Sequence, residues 1–170
     1  MSGVGLGEVF DISIGSIPAD MAVGATTGKR LNMQGVQNVT VVFIKGVGTV
    51  AEDPVLTLRQ HTLAAAGVSS NLVAISTYYT KSAVSVLGSE VWVANAQPAG
   101  ATLATVTLTG SAVNQAIVAF NVQSEALAPG AGWISVDVND PGAGAQLGTV
   151  LYLIRSDDRR MATAMPAPLR

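Results

Sequence analysis

The sequence predicts an all-β fold: a single-domain β-sandwich or jelly-roll-like barrel of about eight or nine strands over residues 1–156, followed by an extended arm at 157–170. Three observations predict it. Short runs rich in Val, Ile, Thr and aromatic residues recur, turn-forming residues separate them, and no segment sustains the 3.6-residue apolar periodicity of a helix. A chain of 170 residues also suffices for one domain with a substantial core.

Nine short segments are predicted to be strands, and the segments between them contain turn-forming residues. GVGTVAEDP and NDPGAGAQLG, for example, place Gly, Pro, Asn and Asp at strand boundaries. Such regular spacing of strands and turns is typical of an all-β sandwich or barrel. The predicted strands lie at 9–15, 39–45, 54–60, 72–81, 90–94, 102–110, 115–123, 132–139 and 148–156.

Alternation of side chains orients several of these strands. In WISVDVN, Trp133, Ser135 and Asp137 fall on one face, and the intervening Ile134, Val136 and Val138 fall on the other. The runs VTVVFIK and TVLYLI are apolar throughout, which predicts central strands covered on both faces, with a second subunit as one candidate cover. The tandem Tyr78-Tyr79 must point one ring to each face of its sheet.

Composition narrows the function classes. Hydrophobic residues make up 49% of the chain and charged residues 12%, about half the usual charged fraction. The absence of cysteine excludes disulfides, thiolate catalysis and cysteine-ligated metals. A net charge of −2 gives no general attraction to nucleic acid, and no apolar run is long enough to span a membrane as a helix. We therefore expect no cofactor, no direct nucleic-acid partner and no membrane partner.

The segment AEDPVLTLRQH at 51–61 holds the only histidine beside two carboxylates and an arginine. As a strand it places Leu56, Leu58 and Gln60 on the core face, so we expect His61 on the opposite, more polar face, away from the core. Acid–base catalysis would need a nucleophile or metal partner that the sequence does not identify. The segment therefore predicts a strand end, and the chain is expected not to be an enzyme.

Two further features leave alternatives open. DVNDPG resembles the start of a calcium loop, but Gly148 stands where an EF-hand needs Glu, which leaves a looser oxygen-ligand site at Asp137 and Asp140 or an Asx-type turn. Trp92 and Trp133 lie in predicted strands, where core packing is the expected role of an inward ring. An outward ring would serve a subunit contact or a sugar-binding platform.

One long stretch suggests a family. RLNMQGVQNVTVVFIKGVGTVAEDPVLTLRQHTLAAAG, with ISTYYTKS and SEVWVA after it, resembles small virion proteins of tailed bacteriophages, especially the minor capsid or head decoration proteins of phages infecting actinobacteria. The resemblance covers about residues 28–94 as a pattern of strands and turns. It implies a non-enzymatic protein that binds the outer capsid lattice, with the major capsid protein as partner, and stabilises the shell as a symmetric oligomer.

The remaining expectations follow from that resemblance and from the C-terminal arm. A homotrimer is favoured because capsid lattices offer threefold positions. The N-terminal stretch does not look like a secretory signal, so we expect synthesis in the host cytoplasm. The resemblance implies residence on the capsid surface of the virion. The alternatives are a tail-tube or fibre-base virion subunit and a carbohydrate-binding jelly-roll module. The residues expected to contact the capsid or another subunit are Arg155, Arg159, Arg160 and Arg170.

Overall fold

A computed structural model of the chain describes residues 10–49, 52–82, 91–104 and 115–156. Two 3₁₀ turns interrupt the strands, at Met21–Val23 and at Ser124–Ala126. The predicted arm at 157–170 lies outside the described residues. The strands are β1 (Asp11–Asp20), β2 (Leu31–Asn32), β3 (Val36–Lys45), β4 (Val55–His61), β5 (Ser69–Asn71), β6 (Ile75–Ser82), β7 (Val93–Gly100), β8 (Thr102–Ala104), β9 (Ala116–Gln123), β10 (Trp133–Val138) and β11 (Leu147–Ser156).

The strands form two antiparallel sheets. The six-stranded sheet has the order β1-β11-β3-β9-β6-β7, and the five-stranded sheet has the order β2-β10-β4-β5 with β8 also paired to β4. The sheets do not close into a barrel, so the β-sandwich prediction is confirmed. All nine predicted strands overlap observed ones, and the described residues add two short strands, β2 and β5.

The core lies between the two sheets and is built by alternation. On β3, Val39, Val41 and Phe43 are completely buried, and they face Leu56 and Leu58 of β4 in the same core cluster. On β10, Ile134, Val136 and Val138 point into this core, as the alternation in WISVDVN predicts. Burial of these branched side chains supplies the main favourable free energy of folding. Within the described ranges no helix has the length and apolar character needed to cross a membrane.

Candidate interaction surface

His61 is buried, not exposed, which corrects the expectation from strand alternation. Leu56, Leu58 and Gln60 face the core as predicted, yet His61 on the opposite face keeps only 4% of its surface accessible. Beside it, the Arg30 guanidinium donates hydrogen bonds to the carbonyl oxygens of Leu63 and Ala66 at 2.9 and 2.6 Å. These contacts hold the loop after β4 against the outer face of the five-stranded sheet.

The imidazole of His61 bridges β5 and β10. Its Nδ1 lies 2.7 Å from Ser69 Oγ, and its Nε2 lies 2.9 Å from Ser135 Oγ. Ser135 Oγ donates in turn to Asp137 Oδ1 at 3.3 Å, so we assign the proton to His61 Nε2 and let Nδ1 accept from Ser69. Arg30 donates to Ser69 Oγ at 3.4 Å, which completes a directed chain from a cation to a carboxylate.

Electrostatics keep this imidazole neutral. Burial lowers the pKa of His61, and the positive charges of Arg30 and Arg59 lower it further, while the carboxylate of Asp137 acts in the opposite direction. The Asp137 carboxylate is itself engaged, since Oδ1 accepts from the Gly28 amide at 3.0 Å and Oδ2 lies 3.5 Å from an Arg59 nitrogen. The network therefore ties the segment before β2 to β4, β5 and β10.

The Ser69–His61 contact has the form of a nucleophile and its base, but its surroundings differ from a hydrolase triad. In a triad a carboxylate accepts from the second imidazole nitrogen and orients the ring. Here Ser135 occupies that position, and Asp137 bonds to Ser135 and to the Gly28 amide instead. A cavity of about 160 Å³ adjoins His61. We interpret the network as a structural clamp on the sheet.

The acidic residues flagged by the sequence also hold loops. Asp140 Oδ1 accepts from the Gly142 amide at 3.0 Å, which is the hydrogen bond of an Asx-type turn. Asp53 lies 3.6 Å from Lys45 Nζ, both side chains being buried, and the Glu52 carboxylate accepts from the Gly144 amide. Among the described residues no cluster of three or more His, Cys, Asp or Glu side chains is placed to hold a metal ion.

The outer face of the six-stranded sheet is the exposed apolar surface of this sandwich. β3 and β11 are central strands, as predicted, but only one face of each is covered within the described chain. Strand register brings the uncovered side chains together: Ile14 pairs with Leu151, Leu151 with Val42, and Ile44 with Ile117. We call these residues the apolar patch: Ile12, Ile14, Val42, Ile44, Ile117, Leu151 and Leu153.

Exposure confirms that the patch is open to solvent. Ile12, Ile14 and Ile44 expose 47%, 45% and 36% of their surfaces, and the other four members are partly exposed. The matching face of the five-stranded sheet is mainly polar, since Thr57, Arg59, Ser135 and Asp137 occupy it together with the partly exposed Val55 and Trp133. Contiguous apolar surface on one face only is typical of a contact surface for another macromolecule.

The strands at the centre of the patch carry basic residues but no acidic ones. The three strands that carry most of it, β3, β9 and β11, contain no Asp or Glu. Their charged residues are Lys45, which is buried on the core side, and Arg155, which is exposed at the end of β11. Arg155 pairs with Asn38 in register and so lies one row beyond Leu153 and Thr40. The patch thus has a basic margin and no acidic residue on its central strands.

The other predicted contact residues and aromatic residues have mixed outcomes. Arg159, Arg160 and Arg170 lie outside the described residues, so their contact role stays a prediction. Tyr78 is buried and Tyr79 is exposed, as the tandem predicts. Trp92 lies just before β7 rather than within a strand and exposes 52% of its surface, so it is not a core residue.

The apolar patch was only partly visible in the sequence. Continuous apolar runs identified the central strands, but they also predicted a second cover that the described chain does not supply. The signal that would have found the patch is the row of Ile12 and Ile14 opposite Leu153 and Leu151, which depends on pairing between strands far apart in sequence.

Comparison with protein-family models, curated proteins and solved structures gave no match to this chain.

Proposed function

We propose that this chain is a structural virion protein that docks on the outer surface of a tailed-phage capsid through the apolar patch and stabilises the lattice. The observation that carries this role is the apolar patch itself, on the central strands of a charge-poor sandwich. Apolar side chains left open at the centre of a sheet gain free energy when a partner removes them from water. The major capsid protein is the proposed partner.

The charge around the patch supports an acidic partner. Arg155 stands at its margin, and the central strands carry no carboxylate that would repel an acidic surface. Complementary charge at the rim of an interface accelerates association and fixes orientation more than it adds affinity. Arg155 is therefore proposed to meet acidic groups on the capsid, while the patch supplies the buried area.

The hydrogen bonds made by the candidate catalytic residues agree with a non-enzymatic role. His61, Ser69, Ser135 and Asp137 bond to one another, and they anchor loops of the five-stranded sheet. A protein of this kind would act by adding contacts across the lattice. Many copies, each making a modest contact, stabilise a shell through simultaneous engagement.

The experiment uses heads assembled from the major capsid protein of the same phage without this chain. The purified protein is added, unbound protein is removed by sedimentation, and melting of the heads is followed by calorimetry. We expect saturable binding at regular lattice positions and a raised melting temperature. Failure to bind, or binding that leaves the melting temperature unchanged, would refute the decoration role.

Location in the virion separates decoration from the tail alternative. Labelled protein is followed by electron microscopy of complete particles, where a decoration protein marks the head and a tail-tube or fibre-base subunit marks the tail.

We also expect the free chain to sediment as a trimer, with three times the 17.3 kDa chain mass. A stable monomer that nevertheless decorates heads would remove the trimer from the proposed assembly while leaving docking intact.

A further inference from the structure

We propose that a cleft on the outer face of the six-stranded sheet, beside the apolar patch, is a binding site for a neutral saccharide. The cleft has a volume of about 330 Å³, within the usual range for small-molecule sites. It lies where β6 and β9 separate. The residues that line it are Ala74, Ser76, Thr77, Tyr79, Asn121, Gln123 and Ala126.

Strand pairing explains why the cleft exists. Within the described strands, β6 and β9 pair from Ser82 back to Tyr78, which lies opposite Phe120, and the pairing goes no further. At this point the register between β6 and β7 also shifts, between Ile75 and Thr77. The first residues of β6 therefore follow β7, and they leave a gap beside the last residues of β9. Irregularities of this kind commonly re-aim side chains next to functional sites.

The irregularity places hydroxyl groups on the cleft side. Ile75 and Tyr78 are buried, whereas both Ser76 and Thr77 between them are exposed, so the strict alternation of a regular strand is broken. Ser76 and Thr77 both line the cleft. Two adjacent hydroxyl groups, each able to donate and accept, thus face the same opening.

Across the cleft, β9 presents two amides, and one of them is already oriented. Thr40 Oγ1 donates to Asn121 Oδ1 at 2.7 Å, which fixes that amide and directs its Nδ2 donors to other partners. Gln123, two residues further along β9, is exposed on the same face. Planar amides with fixed orientation suit the paired donors and acceptors of neighbouring sugar hydroxyls.

The aromatic ring of Tyr79 completes the site. Its side chain is 41% exposed, while its neighbour Tyr78 is buried in the core. An exposed ring provides an apolar platform for the C–H face of a pyranose, and its hydroxyl adds a hydrogen-bonding group. Amides, hydroxyls and one aromatic ring make up the functional lining.

Charge decides the class of ligand. No side chain lining the cleft is charged, because its polar members are Ser76, Thr77, Tyr79, Asn121 and Gln123. A phosphate, carboxylate or ammonium ligand would find no counter-charge there, and burying an unpaired charge is costly. A neutral polyhydroxylated ring satisfies all of these groups without that cost.

The test titrates the full-length protein with N-acetylglucosamine and with the methyl α-glycosides of glucose, galactose and mannose, followed by saturation-transfer NMR. We expect saturable binding of at least one of them. Tyr79→Ala should weaken that binding at least tenfold, and Tyr79→Phe should retain most of it because the ring remains. Asn121→Asp keeps the oxygen that accepts from Thr40 but removes the amide donors, so it should also weaken binding at least tenfold. Leu63→Ala, in the exposed loop between β4 and β5 of the other sheet, is the control and should bind normally.

Three results would overturn the saccharide site. The first is no saturable binding of any of the four sugars. The second is binding that Tyr79→Ala and Asn121→Asp leave unchanged while both variants melt like the parent protein. The third is cleft-dependent binding of an uncharged extended peptide, such as an alanine–serine octapeptide, without any sugar binding. None of these measurements involves a capsid, so the outcome is independent of the docking role proposed above.

Discussion

The hydroxyl of Tyr152 accepts a hydrogen bond from the Val136 amide at 3.1 Å and donates one to the Lys29 carbonyl at 3.2 Å. Tyr152 belongs to β11 of the six-stranded sheet, and Val136 belongs to β10 of the five-stranded sheet. The ring is completely buried, and burial raises the pKa of its hydroxyl, which keeps it protonated and able to donate. A single side chain thus joins the two layers and the segment that precedes β2.

Removing that hydroxyl should destabilise the fold. Tyr152→Phe leaves the buried Val136 amide without this acceptor, so we expect the free energy of unfolding to fall by about 1–3 kcal/mol. Tyr79→Phe is the matched control, because Tyr79 is exposed, and it should change stability by less than about 0.5 kcal/mol. Urea denaturation measures both, and equal effects of the two variants would contradict the bridging role of Tyr152.

The His61 network should make stability depend on pH. The pKa of His61 is lowered in the folded protein, so below its unfolded value of about 6.5 the unfolded chain binds more protons than the folded one. The contribution of the neutral imidazole is therefore complete above about pH 6.5 and declines as the pH falls from there towards the folded pKa.

The comparison that isolates His61 is between the parent protein and His61→Gln. Denaturant unfolding is measured at about pH 7 and at about pH 5, a range that spans the unfolded pKa. We expect the parent protein to lose more stability over this interval than the variant loses, since the carboxylates titrate in both. Parallel pH profiles would show that His61 is not the group responsible.

The buried Lys45–Asp53 pair should behave as a coupled unit. The two side chains are almost inaccessible, and burial lowers the pKa of Lys45 while Asp53 raises it. Removing one partner leaves a buried charge without its counter-charge, so Lys45→Met and Asp53→Asn should each cost about 3–5 kcal/mol. The double variant should cost clearly less than the sum of the two. Additive costs in this double-mutant cycle would contradict the pairing.

The apolar patch should tolerate charge in the isolated protein. Ile14→Glu and Ile44→Glu alter exposed side chains on the outer face, so each should change the free energy of unfolding by less than about 1 kcal/mol. Thermal melting checks this. A large loss of stability would mean that these side chains are covered within the free protein, and the patch would then not be a free docking surface.

Much of the fold was predictable from the sequence because its signals are local. Alternation in WISVDVN gave the core face of β10, and the Tyr78-Tyr79 tandem gave one ring on each face. β2 and β5 were missed because strands of two and three residues carry too little pattern. β2 exists through pairing with β10, which is distant in sequence, and β5 through pairing with the nearby β4.

The surfaces were less predictable because they depend on distant contacts. Alternation placed His61 on the polar face correctly, but the buried imidazole contacts Ser135, which lies 74 positions later in the chain. The proposed saccharide cleft likewise lies where β6 and β9 stop pairing. A short stretch of sequence does not predict where two strands stop pairing.

Docking through the apolar patch is tested most directly by co-sedimentation of the parent protein, Ile14→Glu, Ile44→Glu and Val68→Glu with heads that lack this chain. Val68 is 70% exposed in the loop before β5, on the other side of the sandwich, and serves as the matched control. We expect the parent protein and Val68→Glu to bind equally, and both patch variants to lose at least nine-tenths of their bound fraction while melting normally. Full binding by folded Ile14→Glu and Ile44→Glu would show that the chain does not use this face to engage the capsid.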